Sequence, residues 1–202
     1  MRLDGEVYPL ADGFCSVAEI DSPALRAAAL VGSRSHRLIV DGMSAAWVWG
    51  ALDVMPTPTE FCVALGRRAR LPPSDQARVR EVVIDPDDVV LLDGIGVVHP
   101  LRVTIDIART REVYDDFAVV VTRRLSQAGE FTRHMCTELL NRRHKLPGKV
   151  RAIQRLDQAF GAEWSASAHA VDVVHTLNAS HCVQQSVEVH GVTHFENKTT
   201  DR

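Results

Sequence analysis

The chain lacks closely spaced cysteines. Its four cysteines are widely scattered, and no two of them form a Cys-x-x-Cys motif: Cys15, Cys62, Cys136 and Cys182. A disulfide framework or a zinc knuckle is recognised by thiols at short, characteristic spacings. The scattered distribution therefore favours reduced, buried thiols in a cytoplasmic protein over either of those sites.

The chain also lacks an excess of positive charge and any long apolar run. Its formal net charge is -3 at pH 7, which argues against a globally basic nucleic-acid binder but leaves room for a local basic surface. No signal peptide precedes the first segment, and no apolar run is long enough to span a bilayer. We therefore expect a cytoplasmic protein without a membrane partner.

What is present is an ordinary globular composition. The 202 residues are 46% hydrophobic and 24% charged, which is enough for a real core in one or two domains. Strand-like and helix-like patterns are interspersed along the chain. Together they predict a mixed α/β (α+β) fold, in which a small β-sheet packs against helices.

The stretch from Gly94 to Arg109 is the most informative, because its hydrophobic period changes midway. Ile95–Val98 reads as a short strand. Pro100 suits the first turn of a helix, and His99 is predicted to form a hydrogen bond to the start of that helix. Arg102 and Asp106 are four residues apart, so we expect them to pair on the outer face of the helix.

Earlier segments predict a hairpin and a first helix. Glu6–Leu10 and Phe14–Ile20 are two extended runs joined by Ala-Asp-Gly, which is a typical hairpin signal. Ser22 is predicted to cap a helix over Ala24–Leu30.

A second helix is predicted over Ala45–Leu52, with Ser44 as its cap. Trp47 and Trp49 are two positions apart, so their rings should point to nearly opposite sides of this helix. Since both large rings favour burial, we expect the helix to be sandwiched inside the core.

Later segments predict two more strands and three more helices. Glu60–Leu65 and Val79–Ile84 read as strands joined by a solvated hairpin loop. Helices are predicted over Arg111–Gln127, Phe131–Arg143 and Lys149–Phe160. The last two helices should place Met135 and Val150 on their apolar faces.

Basic residues concentrate in the strand-connecting loop and in the run from Arg142 to Leu156, which contains no acidic residue. Such groups are either solvated faces or contacts to nucleic-acid phosphates or an acidic partner. Under the second interpretation the DNA-binding residues would be Arg67, Arg68, Arg70, Arg142, Arg143, Lys145, Lys149 and Arg151.

The segment after Arg155 contains no lysine or arginine before Lys198, but it holds five of the nine histidines. His190 and His194 would share a face on a strand. No cysteine pair completes a zinc site there. We therefore expect neither a metal site nor a cofactor.

Four segments of the chain resemble the actinobacterial AbiEi-type antitoxins of type IV toxin–antitoxin systems. Gly5–Phe14 resembles the wing of that family's winged helix-turn-helix, and Ser44–Gly50 resembles the opening of its C-terminal domain. Gly96–Arg109 resembles the family's strand, Ser/His-Pro corner and helix, and Leu146–Ala152 resembles a late basic motif. In order and spacing they cover roughly residues 5 to 156.

The resemblance implies a non-enzymatic antitoxin and transcriptional regulator. It would counter a nucleotidyltransferase toxin without requiring direct contact. The domain assignment that follows is a wing-like hairpin at 1–21, an α/β domain at 22–162 and a tail at 163–202. Because the family's recognition helix precedes its wing, we expect this chain alone to bind DNA only weakly.

Two alternatives to the antitoxin interpretation stay open. Asp172 and Glu188 faintly resemble the carboxylates of Vsr-like nucleases, which hold Mg²⁺ between adjacent strands. No upstream nuclease elements are visible, so this would be a degenerate site. The remaining alternative is a truncated gene product without function.

Overall fold

The computed structural model describes residues 6–11, 13–32, 34–35, 37–67, 69, 76–143 and 146–161. Over these residues it has a mixed α/β fold, as predicted. The strands are β1 (Val7–Leu10), β2 (Gly13–Ser16), β3 (Ile39–Val40), β4 (Thr59–Ala64), β5 (Ala77–Val82), β6 (Val89–Leu92) and β7 (Ile95–Val98). The helices are α1 (Pro23–Val31), α2 (Gly42–Val48), α3 (Pro100–Thr110), α4 (Asp116–Ala128), α5 (Arg133–Arg142) and α6 (Lys149–Ala159).

The predicted N-terminal hairpin is confirmed. β1 and β2 pair antiparallel, with Val7 opposite Ser16, and Ala11 in the turn has a φ of 51°. The second strand ends at Ser16, which is earlier than predicted, and Ile20 is 84% exposed. Leu10 and Cys15 belong to the same hydrophobic core as the helices and the larger sheet.

The larger sheet has the strand order β5-β4-β3-β7-β6. β6 and β7 form an antiparallel hairpin, whereas β3 pairs parallel with β7. The predicted hairpin between β4 and β5 is wrong, because these strands pair parallel with Thr59 opposite Ala77. Parallel pairing excludes a tight hairpin turn between these two strands.

The predicted start of α2 is also wrong. The helix begins at Gly42 with Asp41 as its N-cap, and the Ser44 hydroxyl accepts a hydrogen bond from the Glu60 backbone N–H. The Glu60 carboxylate accepts one from the Met43 N–H, at 2.6 Å. This tertiary contact satisfies the first turn of the helix, and it comes from a strand seventeen residues away.

The prediction that both tryptophan rings are buried is confirmed only in part. Trp47 is 3% exposed, as expected for a core residue. Trp49 follows the end of α2 and is half-buried, and its indole Nε1 donates a hydrogen bond to the Val98 carbonyl at 2.8 Å. It therefore ties the end of α2 to β7.

Of the three later helices, α6 begins at Lys149 as predicted, whereas α4 and α5 begin after their predicted starts. α4 begins at Asp116, because the Asp115 side chain caps it by accepting from the Ala118 N–H, and Thr132 similarly caps α5. Met135 and Val150 are exposed, so the predicted placement of both on buried helix faces is wrong.

The three cysteines in the described residues are free and buried: Cys15, Cys62 and Cys136. Burial raises the pKa of Cys136 to about 12, so its thiol is protonated at neutral pH. Among the described residues, no helix combines the length and the apolar character that a membrane span requires.

Candidate functional site

α3 begins as the sequence predicts. Pro100 occupies its first turn, and the His99 Nδ1 accepts a hydrogen bond from the Leu101 N–H at 3.2 Å. Burial lowers the pKa of His99, although the nearby Asp88 carboxylate partly opposes that effect. The ring is therefore held in the neutral form that can accept this bond.

Arg102 and Asp106 do pair, but not on an outer face. The Arg102 Nε lies 3.0 Å from the Asp106 Oδ2, and the two residues are only 7% and 5% exposed. The predicted surface pair is therefore a buried one. The reason is tertiary, because side chains from other parts of the chain cover this face of α3. They are Arg80 on β5, which donates to Asp106, and Asp88 just before β6, which accepts from Arg102.

Asp106 is the centre of a larger set of ion pairs. Its carboxylate accepts hydrogen bonds from Arg102 Nε and from Arg80 Nη2, each at 3.0 Å. It also accepts one from Arg109 Nη1 at 2.8 Å. Three guanidinium groups, from β5 and from two turns of α3, therefore meet at one carboxylate.

Further aspartates bind the outer sides of Arg80 and Arg102 and so enlarge this set of ion pairs. Arg80 donates through Nε to Asp41 at 2.5 Å, and Arg102 donates through Nη1 to Asp88 at 2.6 Å. Arg143, at the end of α5, donates to Asp88 at 2.6 Å and to Asp85 at 3.3 Å. We call the whole set the arginine–aspartate network: Arg80, Arg102, Arg109, Arg143, Asp41, Asp85, Asp88 and Asp106.

The network favours the ionised form of Asp88. Burial by itself would raise the pKa of Asp88, but hydrogen bonds from Arg143 and from the Asp85 backbone, with the charge of Arg102, outweigh burial and lower it. The pKa of Arg80 is raised, chiefly by its hydrogen bond to Asp41. In contrast, burial and the nearby charges of Arg102 and Arg143 lower the pKa of Arg109 despite Asp106.

Two adjoining cavities lie along α3 and the edge strand β5. The first, which we call the Glu60 cavity, has a volume of about 600 Å³ and is lined by residues that include Glu60, Arg78 and Met43. The second, the Arg143 cavity, has a volume of about 460 Å³ and lies where Arg143 and Arg109 approach β5. Both are lined by Arg80, Asp106 and Thr110.

The predicted DNA-binding residues divide into three groups. Arg68, Arg70 and Lys145 lie outside the described residues. Arg67, Arg142 and Arg151 are exposed, and Lys149 is half-buried. Arg143 differs from them because its side chain is 19% exposed and is paired with a buried aspartate.

The exposed members have few competing interactions. Arg142 pairs with Glu138 one turn earlier in α5, at 2.5 Å. Arg151 donates through Nη2 to the Arg109 carbonyl at 2.5 Å. Arg67 lies in the turn that follows β4, where its backbone N–H donates to the Ala64 carbonyl. The neighbouring Leu65 N–H donates to the carbonyl of Val82, which lines the Arg143 cavity.

Sequence reasoning missed most of the network. Arg80 lies within the predicted strand Val79–Ile84, and Arg78, Arg80 and Val82 alternate along β5 and so share one face of it. Asp41 and Asp88 are aspartates next to short strands, and no local pattern distinguishes them from solvated residues. The available signal was the spacing of Arg102, Asp106 and Arg109, which places the three side chains within pairing distance on one side of a helix.

The described residues contain no group of three or more His, Cys, Asp or Glu side chains that could hold a metal ion. Asp172, Glu188, His190 and His194 lie outside the described residues. The Vsr-like alternative therefore stays a prediction.

No protein family model matches this chain. A comparison with curated proteins likewise finds no match. The resemblance to AbiEi-type antitoxins therefore stays a prediction.

Proposed function

We propose that this protein is a non-enzymatic, antitoxin-like transcriptional regulator of the AbiEi type. It binds DNA through phosphate contacts and counters a nucleotidyltransferase toxin without requiring direct contact with it. Weak DNA binding by the chain alone is part of the proposal, because the contacts come from a small basic surface.

The observation that carries the proposal is that three of the family-like segments contact one another. Trp49 in the Ser44–Gly50 segment donates to the Val98 carbonyl of the Gly96–Arg109 segment. Arg109, which ends that segment, donates through Nε to the Pro147 carbonyl at 3.0 Å. Segments that are far apart in the chain therefore meet in one structural unit, as motifs of one domain would.

Gly148 illustrates how closely the last of these segments approaches α3. Its φ is 78°, and a Cβ built there would lie 3.0 Å from the Arg109 carbonyl oxygen. A side chain at this position would meet both a backbone conformation that favours glycine and a backbone atom that cannot move away cheaply. The Leu146–Ala152 segment thus depends on glycine for its contact with α3.

The proposed DNA-binding surface is the end of α5 and the start of α6, where Arg142, Lys149 and Arg151 lie. The Arg142–Glu138 pair is exposed, and such pairs stabilise a protein by only ~0.2–1 kcal/mol. The Arg142 guanidinium can therefore exchange Glu138 for a phosphate at small cost. Arg143 cannot do so, because its departure would leave Asp88 without one of its two arginine partners.

A salt titration of DNA binding tests this surface. We expect the wild-type chain to bind duplex DNA with a dissociation constant of ~10⁻⁴ to 10⁻⁶ M, without sequence preference and with steep salt dependence. Arg142→Gln should lower the slope of log K against log salt by about 0.9, which corresponds to one lost phosphate contact. Fluorescence anisotropy with a labelled duplex measures both quantities.

Arg133→Gln is the matched control, because it removes the same charge from the other end of the same helix. Arg133 is exposed and pairs with Asp157, so its loss should leave the slope unchanged. An equal effect of both variants would contradict a localised surface. Nanomolar binding to one operator that resists salt would contradict the weak contact proposed here.

The antitoxin activity is tested by a separate experiment. Co-expression with the nucleotidyltransferase toxin of the same operon should restore growth, while purified toxin and this protein should not co-elute. Failure to restore growth would contradict the antitoxin assignment, whatever the DNA result.

A further inference from the structure

The Arg143 cavity presents more positive than negative groups. The ionisable residues that line it are Arg80, Arg102, Arg109, Arg143, Asp85 and Asp106. The other two aspartates of the network, Asp41 and Asp88, are 2% and 5% exposed and do not line this cavity. The network as a whole has four arginines and four aspartates, but this cavity is lined by all four arginines and only two of the aspartates.

Several donors around this cavity are unused. Within the part of the chain that the structure describes, Arg80 donates only through Nε and Nη2, which leaves Nη1 without an acceptor. Arg109 likewise has no acceptor there for Nη2, and Arg143 has none for Nε or Nη1. Guanidinium forks that converge on one cavity match the geometry of a phosphate group.

The electrostatic state of Arg109 favours the same ligand chemistry. Burial and the charges of Arg102 and Arg143 lower its pKa. An anion in the cavity would offset both effects, because it would supply a counter-charge where three guanidinium groups lie close together. A doubly charged phosphate monoester would do so more effectively than a singly charged anion.

The Glu60 cavity has a different character. Its walls include the apolar residues Met43, Val79 and Ile107. Glu60 uses Oε2 to accept from the Met43 N–H, and Oε1 has no donor among the residues that the structure describes. This cavity can therefore hold a flat, largely apolar group that carries N–H donors, with a carboxylate oxygen to accept from them.

We propose that the two cavities together bind a nucleoside monophosphate, with its phosphate in the Arg143 cavity and its base in the Glu60 cavity. Arg80, Asp106 and Thr110 line both cavities, so one ligand can occupy them at once. Volumes of about 600 and 460 Å³ are in the range of small-molecule sites. This ligand site is separate from the DNA-contacting surface and would make the regulator responsive to a nucleotide.

Calorimetry with the full chain tests the proposal. The probes are the four ribonucleoside monophosphates, the corresponding nucleosides and inorganic phosphate. We expect at least one monophosphate to bind saturably, and at least tenfold more tightly than its nucleoside or phosphate alone. Equal affinity for nucleoside and monophosphate, or for phosphate and monophosphate, would overturn it, as would no binding of any monophosphate at millimolar concentration.

Variants locate the two parts of the ligand. Arg109→Gln should weaken monophosphate binding at least tenfold while leaving nucleoside binding unchanged. Glu60→Gln should alter the preference among the four bases, and circular dichroism checks that both variants fold. Arg133 lies on α5 and lines neither cavity, so the Arg133→Gln variant should bind the monophosphate as wild type does. A loss of monophosphate affinity in this variant would overturn the assignment.

A phosphorylated DNA end offers the same chemistry as a free nucleotide. A short oligonucleotide with a 5′-phosphate should bind no more tightly than one without it, because the ligand must enter both cavities. A clear preference for the phosphorylated end would overturn the free-nucleotide proposal. The Arg142 variant, which addresses the DNA surface, should not change monophosphate affinity, so failure of one proposal is distinguishable from failure of the other.

Discussion

The buried position of Asp106 makes a strong prediction about stability. Asp106→Asn keeps the shape of the side chain but removes the negative charge at the meeting point of Arg80, Arg102 and Arg109. The three guanidinium groups would remain positively charged, since arginine does not lose its proton in proteins. The substitution therefore removes the negative charge that three guanidinium groups share, at a side chain that is itself only 7% exposed.

The size of the effect follows from the partners that remain. Arg80 keeps Asp41, and Arg102 keeps Asp88. Arg109 keeps no carboxylate partner among the described residues, because Asp106 is the only one that it contacts. Breaking a buried pair from one side typically costs ~3–5 kcal/mol, and the surviving partners place this variant at the lower end, about 3 kcal/mol.

Urea denaturation followed by tryptophan fluorescence measures this loss, with the free energy of unfolding extrapolated to water. In thermal unfolding, the same loss corresponds to a decrease in Tm of about 6–12 °C for a domain of this size. Asp157→Asn is the matched control, because Asp157 is also paired with an arginine but is exposed. It should lose less than about 1 kcal/mol.

The reasoning would be refuted if the free energy of unfolding of Asp106→Asn were within about 1 kcal/mol of the wild-type value. It would also be refuted if Asp106→Asn lost no more stability than the Asp157→Asn control. Either result would mean that water reaches the network and screens its charges. The buried ion pairs would then not contribute to the packing of α3 against β5.

Two further predictions concern the ends of the central helices. The pKa of His99 is lowered by burial, so its contribution to stability is complete above the ordinary histidine pKa of about 6.5 and is lost as pH falls through the folded-state value. We expect His99→Asn, which can still accept from the Leu101 N–H, to remove this part of the stability loss seen in urea titrations as the pH falls below about 6.5. An unchanged profile would exclude His99 as its source. Trp47→Ala should lower the free energy of unfolding by ~3–5 kcal/mol, because it leaves a cavity at a buried site. The control Val150→Ala, at a site that is 72% exposed, should change it by less than about 0.5 kcal/mol. A loss below about 1 kcal/mol for Trp47→Ala would contradict its core position.

Local chemistry was sufficient to predict several elements. The signals for the N-terminal hairpin, the Ser22 cap of α1 and the proline at the first turn of α3 each act over a few neighbouring residues. Backbone preferences and caps are properties of short segments, so a single sequence contains them in full. The hydrogen bond from Leu101 to His99 belongs to the same class, since the two residues are only two apart.

Prediction failed where the partner lies far along the chain. The Met43 N–H finds its acceptor on Glu60, and Arg143 finds Asp88 fifty-five residues away. No local pattern distinguishes such partners from residues that bind water. For the same reason the sequence did not distinguish a hairpin from the parallel pairing of β4 and β5.

The sequence by itself determined where most strands and helices form, and that the chain builds a mixed α/β fold. Only the tertiary structure decided that Arg102 and Asp106 are buried rather than exposed. The spacing of four residues brings the two side chains close enough to pair on any helix. Their surroundings depend on which elements pack against that face of α3, and this is set by the whole core rather than by neighbours in the chain.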